Sequence, residues 1–379
     1  MGLRTGWVSR SLLLLFAVMT ALAVFAIPRP PVPVSAPERT GTAANADRAA
    51  RLGVDGTSLT LDGRAFWPIG LNAYQLATDW TINAGCGAQV DLDRYFGSLP
   101  AHSLTRVNIY STFAVNKATG QLDFTALDAV FAAAARHDQL LIAVLTGGEG
   151  GCENSYVKDY DWFVGGWRTE VSHGLPMSYD AWLQVALTRW RDSPALAGWT
   201  PVGEPEPSRC TEDACPWQTR ACPADAAAVL RTFFDAVGAR IRALDADAVV
   251  FSGHTGGGQC GSAGDDYALV AASSGVDVLE YHFYRSTDYF PGDPRDGLAR
   301  RVEQARALHK PLLVAEVGVR AGTCTSLQER KAEVAHLVDE AREHGAAGVM
   351  FWSFVPDPRL DDCTFDIGPD DPLFDMVGA

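Results

Sequence analysis

An α/β chain closing into a (β/α)8 barrel is predicted by three observations. Short apolar runs rich in β-branched and aromatic residues alternate with amphipathic helical segments, the pattern of βα units on a parallel sheet. Eight such runs can be placed, at residues 66–71, 105–110, 140–145, 197–202, 249–252, 276–281, 312–315 and 348–351. The stretch that holds them, 52–379, is roughly 330 residues, long for a sandwich and ordinary for one barrel with inserted loops.

The elements follow in order. A hairpin is expected in SLTLDGRAF, with Asp62-Gly63 as its turn, ahead of the first barrel strand and closing the barrel floor. Helices are expected at 124–136, 179–191, 225–244, 296–308 and 326–343. The last has Ser326 as its cap, Glu329 three residues on, and Gly345 as its stop. Long aromatic segments at 75–91, 146–176, 204–223 and 283–294 follow strand ends, so on a barrel they gather on one face, the one that carries function.

Ahead of this domain, Arg4 and Arg10 precede the apolar run SLLLLFAVMTALAVFAI at 11–27. That segment reads as a signal peptide or, near the lower length limit for a span, as an uncleaved N-terminal anchor. Residues 28–51 are rich in Pro, Ala and Thr and read as a linker. The protein is thus expected to be secreted or extracytoplasmic, touching a membrane only through that segment.

A net charge of −15 argues against nucleic acid or anionic lipid as partner and leaves neutral ligands, such as uncharged sugars, comfortable. The eight cysteines, Cys86, Cys152, Cys210, Cys215, Cys222, Cys260, Cys324 and Cys363, all follow the export segment, and an even number there points to disulfides whose pairing stays open. CTEDACPWQTRAC carries no interleaved histidine and matches no zinc-finger spacing. No GxGxxG follows the first run, and HTGGGQCG lacks the Lys-Ser or Lys-Thr of a phosphate loop, so neither cofactor nor metal is expected.

The chemistry lies at the carboxyl ends of the runs: Asn72 and Tyr74, Arg106 and Asn108, Glu204, His254, His282 and Tyr284, Glu316, and Trp352. Two of these are glutamates ending apolar runs, in LAGWTPVGEPEP and KPLLVAEVGVRAG. A pair of carboxyls can break an acetal bond, one protonating the leaving oxygen and the other facing the anomeric carbon. An isolated glutamate after a strand is more often solvated, so the weight rests on the surrounding pattern.

That pattern, WPIGLNAYQL, TRVNIY, GWTPVGEPEP, YHFY, LLVAEVG, MFWSF and FDIGPDDPLF in this order, resembles glycoside hydrolase family 5 of clan A, on the side of its endo-β-mannanases and cellulases. The resemblance runs from about residue 57 to the C-terminus and implies a retaining hydrolase of a β-linked poly- or oligosaccharide. It implies Glu204 as acid/base and Glu316 as nucleophile, with carboxyls about 5 to 5.5 Å apart. It further implies Arg106 beneath the nucleophile, Tyr284 in contact with it, His282 near the acid/base and Trp352 as an apolar floor for the sugar. Asn72 and His254 are expected to support or line the cleft. Trp80, Tyr156, Trp162 and Trp167 lie on loops, where sugar stacking and inward packing are equally open. The protein is expected to act as a monomer.

Two departures stand out. Gly203 occupies the position where the family places an asparagine before the acid/base, and LLIAVLTGGEGG lacks the histidine often found at the end of strand three. Both leave the carboxylates in place and alter the cleavage subsite, which points to an unusual glycoside. A transglycosylase remodelling envelope glycan, and a non-catalytic glycan-binding protein on a hydrolase scaffold, are the alternative readings.

Overall fold

The computed structural model describes residues 50–212, 215–284 and 293–378. The expected export segment and most of the linker lie outside the described residues, as does most of the loop after the sixth barrel strand. Among the described residues no helix is long and apolar enough to cross a membrane.

In chain order the elements are β1 (Leu52–Asp55), β2 (Ser58–Leu61), β3 (Arg64–Phe66), β4 (Ile69–Asn72), α1 (Leu92–Gly97), β5 (Leu104–Asn108), α2 (Thr125–Arg136), β6 (Leu140–Val144), α3 (Tyr160–Val164), α4 (Tyr179–Trp190) and β7 (Leu196–Thr200). There follow α5 (Ala226–Leu244), α6 (Asp266–Ala271), β8 (Leu279–Tyr284), α7 (Leu298–Ala307), β9 (Leu312–Gly318), β10 (Ala321–Gly322), α8 (Leu327–His344), β11 (Val349–Phe351) and β12 (Cys363–Thr364).

Seven parallel strands form one sheet in the order β7-β6-β5-β4-β11-β9-β8. The eighth position is filled by Val250 and Phe251, which bridge in parallel to Trp199 of β7 and to Val278 just before β8, joining the sheet's two ends into a (β/α)8 barrel. The run expected at 249–252 is therefore reduced to single bridges. Its neighbours at Gly253 and Asp277 turn the chain away, and Asp277 caps Val250 N with its carboxylate at 2.9 Å. The run expected at 276–281 is displaced toward Tyr284 for the same reason.

Helices form where apolar residues recur every three or four positions. In α5, Leu230, Phe233, Phe234, Val237 and Ile241 are buried against the sheet and α4. In α8 the box between Ser326 and Glu329 is complete and Gly345 ends the helix at φ 90°. Three short helices escaped the sequence pattern: α1, α3 and α6 have five or six residues each, too few turns to show periodicity.

The barrel's interior changes character along its axis. At the bottom, the β2–β3 hairpin turns at Asp62 and Gly63, both with positive φ, and together with β1 presents Leu52, Leu59 and Phe66 to Leu104, Leu140, Ile142, Phe251, Leu313 and Met350. This is the expected floor. Above it the inward positions turn polar, because period two places Leu104, Arg106 and Asn108 of β5 on one side and Glu280, His282 and Tyr284 of β8 likewise.

The inward phase of β9 is broken on purpose. Leu313 and Ala315 pack inside the barrel while Val314 and Val317 pack outside. The pairing steps from Tyr281↔Val314 to His282↔Glu316, and from Val349↔Val314 to Phe351↔Val317, so β9 holds one extra residue against both neighbours. This bulge turns Glu316 to the interior, where strict alternation after Ala315 would face it outward.

Candidate active site

Glu204 sits four residues past β7, with φ 54°, a left-handed conformation unusual for a side chain larger than glycine. The backbone is held there from both sides: Glu204 N donates to Gly253 O at 2.8 Å, and Gly148 N donates to Gly203 O at 2.7 Å. A Cβ on Gly148 would stand 2.2 Å from Glu204 O, and one on Gly253 1.8 Å from Val202 O, so both approaches need glycine. The strain at Glu204 is thus fixed by its surroundings, a pattern that gathers at functional positions.

His282 lies between the two carboxylates. Its Nδ1 is 2.8 Å from Glu204 Oε1 and 3.4 Å from Glu316 Oε2, and its Nε2 is 3.5 Å from Glu280 Oε2. Donor atoms of Glu204, His282 and Glu316 all lie within 4.8 Å of one another. Arg106 Nη1 donates to Glu316 Oε1 at 2.8 Å and to Asn72 Oδ1 at 3.1 Å, while Tyr284 donates its hydroxyl to Glu316 Oε2. Asn72 in turn donates to Ala315 O at 2.7 Å, tying β4 to the bulged strand.

Glu280 is the residue that the sequence reading missed. It is fully buried, 3.6 Å from Arg106 Nη2, and accepts from Thr200 Oγ1 at 3.3 Å. The available signal was its place two residues before His282 in the run VLEYHFY, hence on the same strand face. Five ionisable groups therefore meet here, three glutamates with Arg106 and His282.

Electrostatics follow from that crowd. Burial works against the His282 cation, yet the charge of Glu316, the hydrogen bond and charge of Glu204 and the polar contact with Glu280 overcome it and push the imidazole up to about 9. Burial opposes the Glu204 carboxylate too, but the His282 hydrogen bond and charge, with Arg106, hold it below the usual range. Burial pushes Glu316 up, against the pull of His282 and Arg106. Burial, then the charge of Glu316, drives the Tyr284 hydroxyl far above its ordinary value, so it stays a donor.

A cleft of about 340 Å³ holds Arg106, Asn108, Glu204, Tyr284, Glu316 and Trp352 at its walls. Trp352 and Tyr74 lie nearly parallel at its edge, with ring centroids 5.6 Å apart. A Cβ on Gly203 would meet Val144 Cγ1 at 3.3 Å and Arg106 Nη2 at 3.6 Å, so the glycine leaves space directly above the guanidinium.

Not every expected residue joins the site. His254 is buried with its ring against Phe234 and Tyr267, lines neither this cleft nor the cavity next to it, and is held neutral by burial at about 3. The turn at Gly253, φ 70°, sends it off the barrel axis, which corrects its expected place at the cleft. Tyr156 on its loop, Trp162 on α3 and Trp167 in the 3-10 turn after it are all buried; Trp80 is exposed. All eight cysteines pair, as Cys86–Cys152, Cys210–Cys215, Cys222–Cys260 and Cys324–Cys363. The first ties the loop after β4 to the loop after β6, and the middle two fix the loop behind Glu204.

No protein-family model matches the chain. A probable mannan endo-1,4-β-mannosidase F of Aspergillus flavus is 26% identical over 339 residues, covering 79% of this chain; the chain spans 66% of that relative's length. An endo-1,4-β-mannanase from Rhizomucor miehei shares the fold with a TM-score of 0.62 at 18% identity, over 85% of this chain and 96% of that one. A glycoside hydrolase family 5 mannosidase from the same organism follows at 0.58 and 14%, over 87% and 95%. By the order of its strand-end residues, its relatives and its barrel, the chain resembles glycoside hydrolase family 5, on the side of its endo-β-mannanases and cellulases.

Proposed function

We propose that the protein is a retaining glycoside hydrolase that cleaves β-linked mannan or a closely related polysaccharide, with Glu316 as nucleophile and Glu204 as acid/base. The observation that carries this reading is the approach of the two carboxylates to within 4.8 Å across His282, with Arg106 on Glu316. Inverting pairs stand about 6.5–9.5 Å apart to admit a water between them, and the closer approach of one oxygen from each glutamate here supports retention instead. The mannan-type substrate comes from the relatives, which are mannan endo-1,4-β-mannosidases.

In the first step the Glu316 carboxylate attacks the anomeric carbon, the bond to the leaving oxygen breaks, and Glu204 supplies that oxygen with its proton. In the second, Glu204 takes a proton from water, the hydroxide attacks the anomeric carbon, and the ester to Glu316 breaks. The low value of Glu204 in the open cleft fits this scheme once its partner is included. Carboxylate with imidazolium and carboxylic acid with imidazole hold the same number of protons along one 2.8 Å hydrogen bond. When sugar expels water, the charged arrangement loses more than the neutral one, and the proton moves to Glu204.

Glu204, His282 and Glu316 form a donor set that a divalent cation could also take. In the proposed reaction those lone pairs serve Arg106, Tyr284 and the shared proton instead, so turnover should persist in EDTA. Four disulfides support an extracytoplasmic place of work.

The test is reducing-sugar release from β-mannan, β-glucan, galactan and envelope polysaccharide, beside Glu316→Gln. Release on mannan that vanishes in the variant is expected. Transfer products in place of free reducing ends would move the reading to transglycosylation, and sugar binding without any release to a binding protein.

A further inference from the structure

The loop after β6 carries a buried ion pair that the proposed reaction does not use. The Glu153 and Lys158 side chains are each only 2% exposed, and neither lines the cleft. Lys158 Nζ donates to Glu153 Oε2 at 3.1 Å and to Tyr156 O at 2.9 Å, and lies over the Tyr156 ring at 4.6 Å from its centroid. Burial pushes the Lys158 ammonium below its ordinary range, against the pull of Glu153. Two charges taken out of water are costly unless further hydrogen bonds satisfy them.

Those bonds come from the segment just past β6. Thr146 donates its hydroxyl to the Glu153 carboxylate, 2.9 and 2.7 Å from the two oxygens, and Gly147 N donates to Oε2 at 3.0 Å. The same segment holds the backbone ahead of Glu204. Gly203 N donates to Thr146 O at 2.8 Å, Gly148 N donates to Gly203 O at 2.7 Å, and Gly147 and Gly203 form a parallel bridge. Lys158 N closes the circuit by donating to Gly148 O at 2.8 Å. One buried carboxylate thus fixes residues 146–148, and these fix the peptide on which the left-handed Glu204 is mounted. Gly203 brings no side chain of its own to that task.

The loop is shaped to turn Glu153 inward. Around it Cys152, Asn154 and Ser155 have φ of 66°, 56° and 59°. Left-handed backbone at residues larger than glycine persists only where the surroundings enforce it. Cys152 is bonded to Cys86, and Thr112 donates its hydroxyl to Cys152 O at 3.1 Å.

We propose that Glu153, with Lys158 and Thr146, is a positioning residue for the acid/base, fixing the backbone of Glu204 so that its carboxyl meets the departing oxygen. The proposal rests on the two-carboxylate reading of the site. Proton transfer needs heavy atoms within about 2.6–3.2 Å, and a misplacement of about 1 Å can cost about 10²-fold in rate. Glu153 has no hydrogen bond to Glu204 or Glu316 among the described residues, so it acts through residues 146–148 alone.

The test compares the full chain with Thr146→Val, Thr146→Ser, the double variant Glu153→Gln/Lys158→Met, and Glu204→Gln. The substrates are mannopentaose and 2,4-dinitrophenyl β-mannobioside, whose phenolate departs without a proton. Thr146→Val removes one hydroxyl from a side chain of similar shape, and the double variant removes both charges so that neither is left buried alone. Both should lower kcat/KM on mannopentaose at least about tenfold more than on the aryl substrate, because only mannopentaose needs a placed acid. Thr146→Ser should stay near wild type on both. Azide needs no base to attack the anomeric carbon as the ester to Glu316 breaks, so it should raise kcat of Thr146→Val on the aryl substrate and leave wild type unchanged. Equal losses on the two substrates in Thr146→Val, or no loss, would overturn the proposal, since a smaller folded fraction lowers both alike. Should the double variant not fold, Thr146→Val decides. If Glu204→Gln itself loses activity equally on both substrates, the acid/base reading falls, which is a separate outcome.

Discussion

The two ends of the barrel solve opposite problems with the same eight strands. At the floor, inward positions are Leu104, Leu140, Leu313 and Met350, capped by Leu59 and Phe66 from the hairpin. At the top, inward positions of the same strands become Arg106, Glu280, His282 and Glu316. The floor stabilises by burying apolar surface, roughly 1.5–3 kcal/mol for each large side chain. The top places five ionisable groups out of reach of most water, an arrangement costly in itself and tolerable only because each charge faces an opposite one. The difference assigns stability to one end and chemistry to the other.

That division can be broken by substitution. The largest effect is expected from Glu316→Gln, which should reduce turnover on mannan by about 10⁴-fold or more with folding intact by circular dichroism. Glu204→Gln should cost about 10²–10⁴-fold on natural substrate and much less on an aryl glycoside whose phenol departs without a proton. Glu280→Gln should cost less again and reveal itself in the pH profile. His282 is held up near 9 in part by its polar contact with the Glu280 carboxylate, 3.5 Å from Nε2. In wild type the pair therefore keeps its proton until pH rises through about 9, and exchanging the carboxylate acceptor for a weaker amide should move the alkaline limb of kcat/KM to lower pH. An unmoved limb would show that Glu280 is packing alone.

At the floor the signs reverse. Leu59→Ala should lower stability by about 2–5 kcal/mol while kcat/KM below the melting temperature stays as in wild type. Dithiothreitol should lower the melting temperature as well. The main loss should come from Cys86–Cys152, Cys222–Cys260 and Cys324–Cys363, which close loops of 66, 38 and 39 residues, and the smallest from Cys210–Cys215, which spans 5. A floor variant that lost activity before stability would blur the division.

Much of this was legible because it follows from local rules. The capped helix at Ser326, the Asp62-Gly63 turn and the strand-end positions of Asn72, Arg106, Glu204, His282, Tyr284, Glu316 and Trp352 are written in spacing and in residue type. The structure brings those seven together. Other features depend on contacts far apart in sequence. Glu280 looked like an ordinary charge in an apolar run until β5 supplied Arg106 and β7 supplied Thr200. The cysteine-rich loop behind Glu204 takes its course from Cys222–Cys260 and from Arg220 on Glu149, partners 38 and 71 residues apart. The bulge in β9 leaves no mark in LLVAEVG, because the extra residue is defined only against β8 and β11. His254 failed for the converse reason, since its strand position was right and a single left-handed glycine turned it away.

The central claim is that Glu316 and Glu204 act as nucleophile and acid/base of a retaining mechanism. Its most direct test is proton NMR of the first sugar released from mannopentaose by the full chain, followed before mutarotation. The account predicts the β-anomer first, decaying to the equilibrium mixture. The α-anomer first would mean inversion, a water between the carboxylates, and no ester on Glu316.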